Sequence, residues 1–235
     1  MSQNPTERLE EVKDRIKRAA ERASRNQDDV LLLAVSKTKP ESDIMELYRA
    51  GQRDFGENYV QELTAKREHL PEDISWHMIG HLQRNKVKYI APFIAMIHSV
   101  DSPELAETIE KEAAKNHRVI PVLIEVNVAG EDSKFGVSPE NAPALADTVM
   151  KLPHVLLKGF MTSAPMTDNP ENVRCVFRQL RQLTVDMNLK NNNNEKVDFL
   201  SMGMSGDYEV AVEEGSTCVR VGTALFGERD YGPVN

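Results

Sequence analysis

The sequence predicts a single (β/α)₈ barrel, the TIM barrel, with one additional helix at its amino terminus. Eight apolar, strand-like segments alternate with amphipathic helical segments within 235 residues, and such barrels typically take roughly 250 residues. An open, doubly wound sheet is the competing arrangement. It rarely needs eight parallel strands at such even spacing, and no G-x-G-x-x-G motif follows the first strand. No linker-like segment divides the chain, so we expect one domain that spans residues 1–235.

The additional helix is predicted at the start of the chain. Asn4 suits the N-cap position, Pro5 the first helical position, and Glu7 the acidic position of a capping box. Apolar residues then recur at spacings of three and four among charged ones, as on one face of a helix: Leu9, Val12, Ile16, Ala19 and Ala23. The helical pattern stops near Asn26.

Strands and helices alternate along the rest of the chain. The first strand is almost continuously apolar, which is typical of a parallel strand buried on both faces. The eight predicted strands comprise residues 30–35, 54–58, 75–80, 95–100, 119–128, 156–161, 197–202 and 217–221. Helices are predicted to start at Pro40, Tyr59, Gln83, Ser102, Ser138 and Asn169, and a short one contains Ala211 and ends at Gly215. We expect the fifth strand to be the longest.

The acidic composition argues against several classes of function. The formal net charge is −8 and the isoelectric point is about 5.4, which disfavours binding to nucleic acids or to an anionic membrane surface. Cys175 and Cys218 are too few for a disulfide framework or a zinc site, and we expect both to be small core residues. The charged first residues do not resemble a secretory signal, and no apolar run is long enough to span a bilayer. The sequence therefore predicts a cytoplasmic protein.

Polar residues or glycines follow every predicted strand, which is the end at which TIM barrels carry their functional residues. Lys37 is the most informative of them. A lysine at the end of a buried strand must extend to solvent, pair with an acid, or lose its charge by desolvation. A desolvated amine is a nucleophile that forms a Schiff base with an aldehyde. The alternative is an ion pair with Glu57 or Asp101 at the rim.

Two loops near the end of the chain indicate a phosphate site. Ser201-Met-Gly-Met-Ser205 ends the seventh strand, and Gly222-Thr223 ends the eighth. Barrels commonly bind phosphate at this place through backbone N–H groups and small hydroxyl residues. The alternative is that the glycines serve only tight strand-to-helix turns.

Arg220 alternates with apolar neighbours in the eighth strand, so its guanidinium is predicted to point into the barrel. Since arginine stays charged, it needs a partner there. Glu57, Asp207 or an acceptor on a ligand are the candidates.

A metal site is not predicted. His77 and His81 are four residues apart, but their segment is a strand that leads into a loop, so the two-histidine face of a metal-binding helix does not form. No carboxylate-rich ligand set accompanies them.

Blocks of sequence from the first strand to the last are similar to a known family. They are Ala34-Val-Ser-Lys-Thr-Lys-Pro40, Phe55-Gly-Glu-Asn-Tyr-Val-Gln-Glu62, Trp76-His-Met-Ile-Gly-His-Leu-Gln-Arg-Asn-Lys86, Gly159-Phe-Met161, Ala164-Pro165, Leu200-Ser-Met-Gly-Met-Ser205 and Val219-Arg-Val-Gly-Thr-Ala-Leu-Phe-Gly227. On these blocks the chain resembles the pyridoxal 5′-phosphate (PLP) homeostasis proteins, also called the YggS or PROSC family. The block that ends at Lys86 is the most specific of them.

The resemblance implies a fold and a set of site residues. The fold is the alanine-racemase-like barrel of the fold-type III enzymes, and Lys37 carries PLP as an internal aldimine. The resemblance places Ser205, Gly222 and Thr223 around the phosphate, Arg220 beside the pyridine nitrogen, and Asn58, Ser201 and Met202 near the cofactor.

The same resemblance bears on activity. PLP withdraws electrons best when its ring nitrogen is protonated, and Arg220 cannot accept a proton, so the electron sink would be weak. Related racemases carry an added β-domain that contributes a tyrosine from the partner subunit, and this domain is expected to be absent because the chain ends at Asn235, shortly after the eighth strand. We therefore expect a PLP-binding protein of vitamin B6 homeostasis without turnover of its own. The alternative is an amino-acid racemase that uses Lys37 and a tyrosine such as Tyr59.

The expected partners follow from that interpretation. They are PLP and, as acceptors, PLP-dependent apo-enzymes, with no nucleic acid and no membrane. An RNA-binding or scaffold protein would need a basic and aromatic surface that this composition does not indicate. The chain is expected to be a monomer.

Overall fold

The chain folds into a closed barrel of eight parallel strands. In the computed structural model, which describes residues 4–131, 134–190 and 196–227, each strand pairs with its neighbour in sequence, and β8 closes the sheet against β1. The closing register runs from Leu31 opposite Cys218 to Ala34 opposite Val221. The predicted fold class, with its additional amino-terminal helix, is confirmed.

The strands are short and most lie within the predicted ranges. They are β1 (Leu31–Val35), β2 (Asp54–Glu57), β3 (Ser75–Met78), β4 (Met96–Val100), β5 (Ile120–Glu125), β6 (Val155–Met161), β7 (Phe199–Met204) and β8 (Cys218–Val221). The helices are α1 (Pro5–Arg22), α2 (Glu41–Arg49), α3 (Val60–His69), α4 (Val87–Ile90), α5 (Pro103–Lys115), α6 (Ala142–Val149), α7 (Arg174–Lys190), α8 (Tyr208–Glu213) and α9 (Thr223–Phe226). Single 3₁₀ turns lie at Gln27–Asp29, Arg84–Lys86 and Pro170–Val173.

The expectation about the fifth strand was wrong. β5 has six residues and β6 has seven. Val126 still donates its N–H to the Met161 carbonyl of β6 at 2.8 Å. From there the chain pairs with its own loop, in which Val137 donates its N–H to the Glu125 carbonyl at 2.9 Å and Asn127 donates to the Val137 carbonyl at 2.8 Å. Gly136 allows this approach, since it has φ 104° and a Cβ there would lie 2.9 Å from the Asn127 nitrogen.

Two further expectations need correction. α6 begins at Ala142 and not at Ser138, because the residues before it form a turn in which Asn141 donates its N–H to the Ser138 carbonyl at 3.0 Å. Cys175 is exposed and is not a core residue. The face of α7 that packs inward carries Val176, Phe177 and Leu180 instead.

Two apolar clusters lie on opposite faces of the sheet. On β5, Val122 and Ile124 belong to the large cluster between strands and helices, whereas Leu123 belongs to a small one with Met96 and Met161. Because successive side chains of a strand point to opposite faces, the small cluster lies inside the barrel.

Helix α1 packs against α2, α8 and α9. The capping box predicted at Asn4 is present, since Asn4 Oδ1 accepts from the Glu7 N–H and Glu7 Oε2 accepts from the Asn4 N–H. The apolar stripe of α1 is buried from Leu9 to Ala20. Arg15 pairs with Glu209 of α8 at 2.6 Å. α1 therefore holds α8, the helix that follows one of the predicted phosphate loops. Within the described residues, no helix is long and apolar enough to cross a bilayer.

Candidate functional site

A cavity of about 630 Å³ opens at the carboxyl ends of the strands. It brings together six of the eight residues predicted from the sequence: Lys37, Asn58, Ser205, Arg220, Gly222 and Thr223. Ile79 of the β3–α4 connection and Pro165, Met166 and Thr167 after β6 complete much of its wall. The polar residues after five different strands thus share one cavity, as the barrel fold predicts.

The structure does not bring Ser201 and Met202 to the wall of this cavity. Ser201 is fully buried and lies beneath Arg220, whose guanidinium it contacts. Met202, the next residue of β7, points to the opposite face of the sheet and packs in the large cluster against the helices. Met202 is therefore placed away from the site, because strand alternation turns it outward when Ser201 points inward.

Lys37 is held at the cavity by a short, strained connection between β1 and α2. Before it, Ser36 continues the strand pairing and donates its N–H to the Gly56 carbonyl at 3.0 Å. After it, Thr38 has φ 62°, a left-handed conformation that side chains other than glycine rarely adopt. Such a conformation persists where surrounding contacts hold it.

Those contacts come from the buried residues Ser36, Glu57 and Lys66 and the partly buried Glu62. We call these four residues the Lys66 cluster. Lys66 Nζ donates to the Ser36 carbonyl, to Glu57 Oε1 and to Glu62 Oε1, each at 2.7 Å. Ser36 Oγ donates to Glu57 Oε1 at 2.7 Å. Glu62 Oε1 also accepts the Thr38 N–H at 2.6 Å. The residues on both sides of Lys37 are therefore tied to β2 and α3.

Both acids suggested as ion-pair partners of Lys37 contact other residues. Glu57 is engaged by Lys66 and Ser36, and Asp101 pairs with His81 at 3.3 Å. Burial raises the pKa of Glu57, and the charge and hydrogen bonds of Lys66 oppose that change. The pairing of Lys66 with Glu57 and Glu62 was not anticipated from the sequence. Its signal was the spacing of Glu62 and Lys66, four residues apart on one helix face.

Arg220 points into the barrel, as predicted, and is almost fully buried. Its Nη1 donates to the carbonyl and the hydroxyl of Ser201, each at 2.7 Å. Its Nη2 donates to the Thr162 carbonyl at 2.8 Å and to Ser163 Oγ at 3.3 Å. The partners are neutral acceptors, and neither Glu57 nor Asp207 accepts a hydrogen bond from it. Burial lowers the pKa of this guanidinium, which nevertheless remains a donor only.

The two predicted phosphate loops are tied to each other through Ser205. Its Oγ accepts the N–H of Gly222 at 3.2 Å and the N–H of Ala224 at 3.3 Å. Asp207 stabilises the first loop, because its Oδ1 accepts the Met204 N–H at 2.6 Å. The donors at this side of the cavity are hydroxyl and backbone N–H groups, which is the chemistry that binds an anion such as phosphate.

Asn58 contributes a buried acceptor to the cavity. Its Oδ1 has no hydrogen-bond partner among the described residues, which is unusual for a buried polar atom and points to a ligand as partner. The neighbouring connection approaches closely because residue 80 is glycine, and a Cβ there would lie 2.5 Å from the Asn58 carbonyl oxygen.

One titratable group near the site was missed. Glu125, at the end of β5, has a buried Oε2 without a hydrogen-bond partner among the described residues. Burial raises its pKa to about 7, although the charge of Arg220 opposes the change. The sequence signal for this group was a glutamate at the end of the otherwise apolar strand Ile120–Glu125.

The two histidines considered for metal binding have separate partners. His77 contacts His98 and Asp54, whereas His81 contacts Asp101 and stacks on Phe135 with ring centroids 4.1 Å apart. The described part of the chain holds no group of three metal-ligating side chains.

Solved structures similar to this barrel include one that contains PLP. PipY of Synechococcus elongatus with PLP bound superposes with a TM-score of 0.79 at 36% identity, over 91% of this chain and 100% of that one. The alanine racemase of Clostridium difficile superposes with a TM-score of 0.73 at 16% identity, over 96% of this chain and 57% of that one. The second similarity concerns the fold alone.

Comparison of sequences gives the family. The profile described as "Alanine racemase, N-terminal domain" matches residues 8–230. The pyridoxal phosphate homeostasis protein of Aquifex aeolicus is 50% identical over 229 residues, 97% of this chain and 100% of the relative. That of Escherichia coli is 41% identical over 227 residues, 95% of this chain and 96% of the relative. Since the similarity runs through nearly the whole length of these proteins, the chain belongs to the pyridoxal phosphate homeostasis protein family.

Proposed function

We propose that this chain forms one PLP-binding barrel domain and takes part in PLP homeostasis in the cytoplasm as a monomer. The observation that carries the proposal is the convergence of Lys37, Arg220 and the loops joined by Ser205 on one cavity. A volume of about 630 Å³ suits a small phosphorylated ligand. The PLP-bound relative supports the same ligand for this chain.

The residues of the cavity fit PLP group by group. When bound, PLP supplies an aldehyde that an amine can hold as a Schiff base and a ring that withdraws electrons. Lys37 Nζ is the amine that we assign to the covalent attachment. Ser205, Gly222 and Thr223 bind the phosphate. Arg220 faces the ring nitrogen, and Asn58 offers its unpartnered Oδ1 to a donor of the ligand.

The geometry favours holding the cofactor over turnover. Arg220 presents only donors, so it can donate to an unprotonated ring nitrogen but offers no acceptor that would stabilise a protonated one. Racemisation needs a second acid on the opposite face of the cofactor. Tyr59, the tyrosine considered for that role, is 59% exposed and does not line the cavity. We therefore propose a protein that stores PLP and delivers it to PLP-dependent apo-enzymes.

The cytoplasmic assignment rests on cysteine chemistry. Both cysteines are free, and Cys175 is exposed. An exposed free thiol suits a reducing compartment.

Borohydride reduction tests the covalent attachment. The purified protein should be yellow, and reduction followed by peptide mapping should place the adduct on Lys37. Lys37→Ala should keep the fold and lose the adduct, since it removes a residue beyond the strand rather than a core side chain. Lys39→Ala is the matched control, because Lys39 is two residues away and donates to the carbonyls of Phe226 and Gly227 at 3.4 Å. An adduct mapped to Lys39 or Lys134 would overturn the assignment.

Chiral chromatography tests the absence of turnover. Overnight incubation of the PLP-loaded protein with a panel of amino acids should leave their enantiomers unchanged. Racemisation at enzymatic rates would overturn the storage role. If Tyr59→Phe abolished that racemisation, the racemase alternative would replace it.

A further inference from the structure

A continuous chain of hydrogen bonds crosses the barrel interior and ends at Arg220. His77 Nε2 lies 3.2 Å from Asp54 Oδ1, and His77 Nδ1 lies 2.9 Å from His98 Nε2. His98 Nδ1 lies 3.0 Å from Ser201 Oγ. Ser201 Oγ accepts from Arg220 Nη1 at 2.7 Å. We call these five residues the buried polar chain.

The buried polar chain connects the two ends of the barrel. Asp54 is the first residue of β2 and its side chain is 28% exposed. The chain continues through His77 of β3, His98 of β4 and Ser201 of β7, all of them buried. It ends at Arg220, which lines the cavity. Its only partly exposed member is therefore the one farthest from the cavity.

With one proton on each imidazole ring and an acceptor-only carboxylate at Asp54, every link can be assigned a direction. A guanidinium only donates, so Ser201 Oγ is the acceptor from Arg220 and has its own proton to give. Burial, together with the nearby His77 and Arg220, lowers the pKa of His98 well below the usual value for histidine, so His98 is neutral. Its Nδ1 then accepts from Ser201, and its Nε2–H donates to His77 Nδ1. His77 in turn donates its Nε2–H to the Asp54 carboxylate, and all four bonds point the same way.

The surroundings of the buried polar chain are apolar, so a missing hydrogen bond in it would lower the stability of the fold. The small interior cluster around the chain is apolar, with Met96, Leu123 and Met161, and the His98 ring meets Phe199 edge-on at 6.3 Å between centroids. A buried polar group without its partner is strongly destabilising in such a place. If these positions served packing alone, an aliphatic side chain would fill them without that requirement.

We propose that His98 and His77 are positioning residues of the PLP site, which fix the Ser201 hydroxyl and through it the Arg220 guanidinium. The proposal rests on the proposed function, since it is Arg220 that faces the ring. Ser201 thereby takes a role beneath Arg220 rather than against the cofactor. Without His98, the Ser201 hydroxyl can rotate. Arg220 Nη1 then keeps the Ser201 carbonyl as a fixed acceptor, but Ser201 Oγ is no longer held in place. The environment of the PLP ring should change as a result.

Nitrogen NMR tests the direction of the bonds without relying on PLP. In long-range ¹H–¹⁵N spectra of labelled protein, His77 and His98 should both carry their proton on Nε2, with Nδ1 unprotonated. A proton on Nδ1 of His98 would overturn the proposal, because Ser201 could then not donate to it.

Substitution tests the effect on the cofactor. His98→Leu should shift the visible absorption band of the PLP-loaded protein, and should release PLP roughly tenfold faster, as expected for the loss of about one hydrogen bond. His98→Gln, which restores a donor and an acceptor, should recover part of both effects. Leu123→Ala is the matched control in the same interior, and it should lose thermal stability but keep the parental band.

The outcomes distinguish failure of the positioning role from failure of PLP binding itself. A folded His98→Leu variant with the parental band and release rate would overturn the positioning role. If His98→Leu does not fold, Ser201→Ala is measured in its place, with the same shift and faster release expected and the same parental result overturning the role. Failure of the proposed function is recognised separately, since the unsubstituted protein would then bind no PLP.

Discussion

Ser205 joins the two loops that surround the proposed phosphate position. Its removal should therefore lower the affinity for the cofactor directly. Ser205→Ala removes one hydroxyl donor and also the acceptor of the Gly222 and Ala224 N–H groups. Thr223→Val removes only a hydroxyl. Each variant should lose on the order of 1.5–3 kcal/mol of cofactor affinity, or about 10–150-fold, without losing the attachment at Lys37. Dialysis of loaded protein measures the retention.

A serine outside the cavity provides the control. Ser102→Ala, before α5, lines a different surface cavity and should retain PLP as the parent does. Equal retention by Ser205→Ala, Thr223→Val and the parent would mean that the phosphate binds elsewhere.

Glu125 should make stability depend on pH. Burial raises its pKa from 4.5 to about 7, so the folded protein binds this proton more tightly than the unfolded chain. The stability that it contributes is fully present below pH 4.5 and is lost as the pH rises through 7. The change corresponds to on the order of 3 kcal/mol. Glu125→Gln resembles the protonated form at every pH, and it should therefore gain stability relative to the parent between pH 5 and pH 8.

Urea unfolding of cofactor-free protein at the two pH values measures this difference. Glu104→Gln, an exposed residue in the first turn of α5, serves as the control and should show no such gain. A Glu125→Gln variant whose stability relative to the parent is the same at pH 5 and pH 8 would contradict the account of this carboxyl group.

At the scale of the elements, the β1–α2 connection is held to β2 and α3 through the side chain of Lys66. The side chains of Lys66 and Glu57 are 7% and 0% exposed, so removal of Lys66 leaves a buried charge uncompensated. Lys66→Met should cost about 3–5 kcal/mol of unfolding free energy. The double variant Glu57→Gln, Lys66→Met should recover much of that loss, because no charge is then stranded at the centre of the cluster.

The matched control is Lys115→Met on α5. Lys115 also pairs with a glutamate, Glu112 at 2.6 Å, but it is 56% exposed, and such pairs contribute about 0–1 kcal/mol. Urea titrations compare the four proteins. A Lys66→Met variant no less stable than Lys115→Met would show that the Lys66 cluster does not hold the connection.

At the scale of the whole molecule, barrel closure removes the open sheet edges through which strands associate. β8 pairs with β1, so the barrel itself offers no edge strand to a second copy. The protein should behave as a monomer of 26.5 kDa in light scattering, independent of concentration. A mass of twice that value across the concentration range would contradict the prediction.

The sequence by itself determined the order of the elements and most of the cavity residues. Alternation of apolar strands with amphipathic helices predicts a parallel barrel, and a barrel places every strand end on one side. Lys37, Arg220 and the Gly222-Thr223 pair could therefore be assigned to a common site without knowledge of any contact. The inward direction of Arg220 followed from the period of two in β8.

Only the tertiary structure decided which side chains contact one another inside the barrel. Periodicity describes one element at a time, whereas the partners of His98 and Lys66 come from other strands and loops, brought close by the register of the closed sheet. The same register turns Met202 outward and Ser201 inward beneath Arg220. The raised pKa of Glu125 could not be predicted from the sequence either. It depends on how many neighbouring atoms exclude water from this carboxyl group, which only the packed structure determines.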